Sequence, residues 1–170
     1  MKKVLNSKEN LVNEMINGFL ASEKKRIARS ETNERVLFRK EKEKGKVGIV
    51  SGGGSGHEPL FAGLLGKNLV DAVAIGNVFA APTPGTVLEA IRQADQGAGV
   101  LCLFGNYAGD VMNFDVGIEL AELEDLEAVS LPIADDVASA PQEHKEERRG
   151  IAGDLFVIKE AAAAAAKGYS

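Results

Sequence analysis

Four short, mainly apolar runs, each followed by a small residue, set the tightest limit on how this chain folds. They are Val47–Val50, Val70–Ile75, Val100–Phe104 and Ala128–Ile133. None alternates apolar with polar residues, so each reads as a strand buried on both faces. Helical patterns lie between them. Pro59 to Leu65 predicts a short helix, and Thr83-Pro84 supplies a cap with proline at the first helical position for a helix running to about Arg92–Ala94. A further helix spans about Val111 to Leu123, and a last one runs from about Ala152 through the alanines of 161–166 to Gly168. Strands alternating with helices predict an α/β fold: three layers, α/β/α, around a mainly parallel sheet.

The first 46 residues are less regular. Asn6 and Glu9 have capping-box spacing, and Leu11, Val12, Met15, Ile16, Phe19 and Leu20 recur on one helical face. From Glu23 to Lys46 ten Lys/Arg face five Glu, which predicts a solvated surface. Within it, Arg35–Arg39 reads as an edge strand with charged flanks. At 170 residues the chain has the length of one domain, and its net charge of −5, absent Trp and 5% aromatic content argue against nucleic-acid binding. One cysteine, Cys102, excludes a disulfide framework, and no run approaches a membrane span, so the expectation is cytoplasmic.

In open parallel sheets, ligands bind beyond the carboxyl ends of the strands. Here those ends carry Ser51–Pro59, Gly76–Pro84, Gly105–Asp110 and Asp135-Asp136, a concentration of glycine, polar and ionisable residues on one edge. The glycine run lacks the Gly-Lys-Ser/Thr of a P-loop, and His57 stands where a dinucleotide fingerprint or a nucleophile elbow needs its last glycine. What remains is a loop whose backbone approaches a small ligand, with Ser55 and His57 beside it. His57 suits general acid/base work near neutrality. Asp110 suits either accepting a substrate hydroxyl proton or capping the following helix. Asp135-Asp136 read as loop or cap residues rather than cation ligands, His144 as solvated, Cys102 as inert core, and Arg148-Arg149 as surface ion-pairing residues.

The stretches VSGGGSGHEP (Val50–Pro59), NVFAAPTP (Asn77–Pro84), GNYAGDVMNF (Gly105–Phe114), DDV (Asp135–Val137), ERRGIAG (Glu147–Gly153) and the MKKVLN opening resemble the dihydroxyacetone kinase substrate-binding (DhaK-type) family. The resemblance implies transfer of phosphate to a terminal hydroxyl of a short ketose, dihydroxyacetone or a tetrulose. It carries the family's substrate contacts onto Gly54, Ser55 and Gly56, its acid/base onto His57 and its hydroxyl-assisting carboxylate onto Asp110. It implies no metal or cofactor on this domain. ATP or ADP with magnesium belongs to a nucleotide-binding DhaL-type domain or subunit, or the phosphate arrives through a phosphotransferase-system relay. It also implies a homodimer and contact with neither nucleic acid nor membrane.

Two departures accompany it. The family's dihydroxyacetone enzymes carry a lysine where this chain has Gly105, which removes a cation, makes room and favours a four-carbon ketose such as erythrulose. The chain also resembles only the N-terminal half of a family subunit. The C-terminal half, with the histidine that holds the ketone covalently, is absent, and the isolated domain of residues 1–170 is expected not to complete a kinase cycle. Alternative readings are a non-catalytic, ketose-sensing regulatory paralogue and, from the glycine run alone, a nucleotide binder.

Overall fold

The computed structural model describes residues 3–169, so Met1 and Lys2 of the opening segment, and Ser170, lie outside it. In chain order its elements are α1 (Leu11–Glu23), β1 (Ile27–Arg29), β2 (Val36–Arg39), β3 (Gly48–Ser55), β4 (Ala72–Val78), α2 (Pro84–Ala94), β5 (Val100–Gly105), α3 (Ala108–Glu122), β6 (Ala128–Ile133) and α4 (Asp154–Ala166). The strands form one sheet in the order β1-β2-β4-β3-β5-β6. The four strands from β4 to β6 are parallel, while β2 runs antiparallel to both its neighbours. In register, Val50 lies between Ala72 and Cys102, and Gly105 ends opposite Ile133.

Successive strand residues point to opposite faces, and in the interior strands both sets are largely apolar because both faces are covered. Strand β6, expected to be buried on both faces, is instead an edge strand with Val129 and Leu131 exposed. Val36, Val50, Ala72, Ala74, Cys102 and Phe104 pack with Val87, Ile91, Phe114 and Ile118 of α2 and α3. Their neighbours Leu37, Ile49, Val73, Ile75 and Leu103 pack on the other face with Val12 and Ile16 of α1 and Ile158 and Ala162 of α4. The result is the expected α/β/α layering. Thr83 caps α2 by accepting the Thr86 amide, and Pro84 opens it, as the sequence predicts.

Several local expectations are corrected. The Asn6–Glu9 capping box does not form: Ser7 Oγ accepts the Asn10 amide at 3.2 Å, the helix starts at Leu11, and the Asn6 amide reaches Glu14 instead. Strand β2 is not an edge, because Ile27–Arg29 pairs along its outer side. The charged stretch around it is not wholly solvated. Arg39 and Lys46 are buried, donating to Asp71 at 2.5 and 2.7 Å, and the Asp71 carboxylate also accepts the Ile49 amide at 2.8 Å. This cluster sits where β4 begins, at the opposite sheet edge from the glycine-rich ends. The helix expected at Pro59–Leu65 shrinks to a single 3₁₀ turn at Ala62–Leu64, because Phe61 before it adopts φ +64° and breaks any α-helical run. Arg148 and Arg149 form no ion pair among the described residues; they donate to the carbonyls of Ala140 and Asn106.

Candidate functional site at the carboxyl ends of the strands

Strand β3 leaves the sheet through the Ala62–Leu64 turn on the face shared with α1 and α4, whereas β5 leaves through α3 on the opposite face. Adjacent parallel strands whose connections part to opposite faces create a crevice at their carboxyl ends, the site such sheets offer a ligand. A cavity of about 480 Å³ lies there. Gly52, Gly53 and Gly54 of β3 form its floor; His57, Phe61 and Phe79 stand on one side, and Gly105, Tyr107, Asp110, Gly150 and Asp154 on the other.

The glycine run is not the loop expected. It is the last half of β3, in extended conformation, and only Gly56 has positive φ, at +116°. Its space is taken by the chain itself. A Cβ on Gly52 would lie inside the contact radius of the Ala74 carbonyl oxygen, one on Gly53 would strike the Phe61 ring, and one on Gly54 would sit 2.8 Å from the Ala80 amide nitrogen. Of the three predicted contacts in this run, Gly54 lines the cavity. The Ser55 hydroxyl is buried and donates to the Gly76 carbonyl at 2.8 Å, and the Gly56 amide donates to the Glu58 carboxylate at 3.0 Å.

His57 is exposed at the rim, its ring edge-on to Phe79 at 5.5 Å and to Phe61 at 6.5 Å. These contacts place the imidazole beside two phenyl rings, and among the described residues its nitrogens have no hydrogen-bond partner. Asp110 faces the same cavity from the first turn of α3. It does not cap that helix. The cap position is Tyr107, and Asp110 Oδ1 is sealed from solvent with no hydrogen-bond partner. Burial pushes its carboxyl up to about 6, while nearby His57 works in the opposite direction. A carboxyl so poised, with an unmet acceptor beside an imidazole, suits a hydroxyl-bearing ligand.

The far wall is assembled from β5 and the segment before α4. The Asn106 amide donates to the carbonyls of Glu146 and Arg148 at 2.9 and 2.7 Å. The two oxygens of Asp135 accept the Ile151 and Gly153 amides at 2.8 Å each. Burial tends to raise the Asp135 carboxyl, but these two amides outweigh it and hold it below its ordinary value. Asp135 is thus the loop organiser the sequence suggests. Asp154, at the first position of α4, was not legible as a site residue: an acid opening a helix is ordinary dipole chemistry. Yet it is 4% exposed, its Oδ1 has no partner, and burial, then the Asp135 charge, push its carboxyl up to about 7. Gly105 lines the cavity, and no side chain fits at its position without displacement. A Cβ there would meet Tyr107 at 3.1 Å and Asp154 at 3.2 Å. His144 is exposed and is not among the residues lining the cavity, and Cys102 is buried mid-strand with its thiol pushed far up by burial.

A three-layered sheet with its pocket at such a crossover defines a class of small-ligand α/β domain. The chain belongs to the Dak1 domain family, which matches residues 17–170. It is 44% identical over 99% of its length to the dihydroxyacetone-binding subunit DhaK of PTS-dependent dihydroxyacetone kinase 2 from Listeria innocua, covering 50% of that protein. It is 39% identical over 99% of its length to an L-erythrulose kinase from Pectobacterium atrosepticum, covering 28% of it. Among solved structures, the dihydroxyacetone kinase of C. freundii in complex with AMP-PNP and Mg²⁺ superimposes with a TM-score of 0.91 at 35% identity, over 99% of this chain and 32% of that one. A dihydroxyacetone kinase operon co-activator gives 0.82 at 30% identity, over 93% of this chain and 48% of that one. The chain spans about half the length of the DhaK subunit it matches. No helix among the described residues is long and apolar enough to cross a membrane.

Proposed function

We propose that this domain is the substrate-binding part of a short-ketose kinase, in which a terminal hydroxyl of dihydroxyacetone or a tetrulose receives a phosphoryl group. The observation that carries this reading is the pairing of His57 with a desolvated, unpartnered Asp110 across one cavity at the sheet crossover. Asp110 accepts the hydrogen of the reacting hydroxyl, which makes that oxygen more nucleophilic, and a carboxyl raised to about 6 is a stronger base than an ordinary aspartate. His57, edge-on to the Phe61 and Phe79 rings, relays or supplies a proton to the ligand. Gly54 brings the β3 backbone to the cavity floor.

Among the described residues the lining contains neither Lys nor Arg, which supports assigning the nucleotide, its magnesium or a phosphotransferase-system donor to a separate DhaL-type domain or subunit. A homodimer, a cytoplasmic location and a C-terminal half carrying the covalent histidine belong to the same proposal. The names of the DhaK-subunit and erythrulose-kinase relatives support the ketose. The co-activator relative favours a second reading, a ketose sensor without catalysis. Reconstitution separates them: with the rest of the subunit and a donor component supplied, ketose phosphate forms, and His57→Ala lowers the rate about 10²–10⁴-fold. No product from a folded, ketose-binding assembly would establish the sensor instead.

A further inference from the structure

The ketose reading uses one of the two unpartnered acids in the pocket and leaves Asp154 without a task. The described groups around it offer no cation. Arg149 is spent on the Asn106 carbonyl and the Tyr107 ring, and Arg148 on Ala140 and Gln142. Asp135, its nearest charged neighbour, has both oxygens occupied by backbone amides and repels it. Glycines 105 and 150 pack against its carboxylate so closely that a Cβ on Gly150 would lie 2.6 Å from Oδ1. A carboxyl 4% exposed, with a sealed and unpaired Oδ1, is a standing cost that folds seldom retain except where a ligand completes it. Its raised protonation midpoint fits the same picture, since a neutral environment lacking cations suits a neutral donor.

The cavity, about 480 Å³ and open to solvent, admits a ligand longer than a three-carbon ketose. Asp110 comes from the helix after β5 and Asp154 from the helix after β6, so the two acids grip the cavity from different elements.

We propose that Asp154 is a specificity-determining residue of this pocket, accepting a hydrogen bond from a ligand hydroxyl beyond the third carbon. The ligand class is then a neutral polyhydroxy ketone longer than dihydroxyacetone. This rests on the ketose reading, so the test includes a control for it. Dihydroxyacetone and erythrulose are titrated into the chain, its Asp154→Asn and Asp154→Val variants, and Asp110→Asn, followed by amide NMR with retained spectra as the check on folding. The unaltered chain binds erythrulose about 10-fold or more tightly than dihydroxyacetone; Asp154→Val erases that preference while moving dihydroxyacetone by less than about 2-fold, and Asp154→Asn, which keeps an acceptor oxygen, retains part of it. An unchanged preference in Asp154→Val, or equal losses for both sugars, overturns the assignment. If Asp110→Asn weakens both sugars while the Asp154 variants leave the preference intact, the ketose reading stands and this inference falls. If neither sugar binds even with the C-terminal half of the subunit supplied, both fall.

Discussion

Replacing Asp154 with asparagine should make the protein more stable, and increasingly so as pH rises. Between about pH 4 and 7 the folded chain keeps a proton on Asp154 that the unfolded chain has released. Stability therefore falls as pH climbs through that window and levels off above it. Raising a carboxyl from 3.8 to about 7 corresponds to roughly 4 kcal/mol at ~1.4 kcal/mol per pH unit. Asparagine never ionises, so it escapes this loss, although it forgoes the attraction of a carboxylate to the α4 N-terminus, worth about 0.3–1 kcal/mol. The net expectation is a gain of about 3 kcal/mol at pH 8, shrinking to nothing near pH 4, or on the order of 10 °C in melting temperature for a chain of this size. Asp110 contributes a loss of the same sign between 3.8 and about 6, but it is common to both proteins and cancels in the difference. Denaturant and thermal melts of the pair at half-unit steps from pH 4 to 9 measure it. A difference that does not change with pH, or a variant less stable at pH 8, would refute the assignment of a buried, unpaired acid.

Two further substitutions probe the scaffold. Gly52→Ala drives a methyl into the Ala74 carbonyl across the β3–β4 ladder, and chemical denaturation should show a loss of about 3 kcal/mol or more, the upper end for overpacking. Asp71→Ala strands Arg39 and Lys46 in the interior, and the same assay should record a loss of about 3–5 kcal/mol, with Asp71→Asn intermediate.

The interior parallel strands were legible because burial on both faces leaves a plain mark, the mainly apolar run. Strand β6 carried the same mark although it is an edge strand with Val129 and Leu131 exposed. The carboxyl ends of the parallel strands held the site for a topological reason visible in element order alone. The antiparallel margin was harder. Ile27–Arg29 is three residues long and sits in a charged stretch, so nothing announced that it would cover β2 and turn an apparent edge into an interior strand. Buried Arg39 and Lys46 looked like surface charge because their partner, Asp71, lies 25 residues or more away along the chain. His57 and Asp110 stood out by their glycine-rich surroundings. Asp154 did not, since what distinguishes it is the absence of a partner, a property of the folded neighbourhood and not of local pattern.

The crowding around β3 changes what the motif SGGGSG can be taken to mean. Gly52 and Gly54 are required by the chain's own backbone, and Gly53 by the Phe61 ring as it stands, before any ligand arrives. A descendant that abandoned phosphoryl transfer for another trade would need them just as much, because without them the strand could not be laid down. The motif is therefore a signature of architecture, inherited with the scaffold whether or not chemistry survives. To tell a working member from a repurposed one, the positions to inspect are His57, Asp110 and Asp154, whose side chains the fold itself could do without.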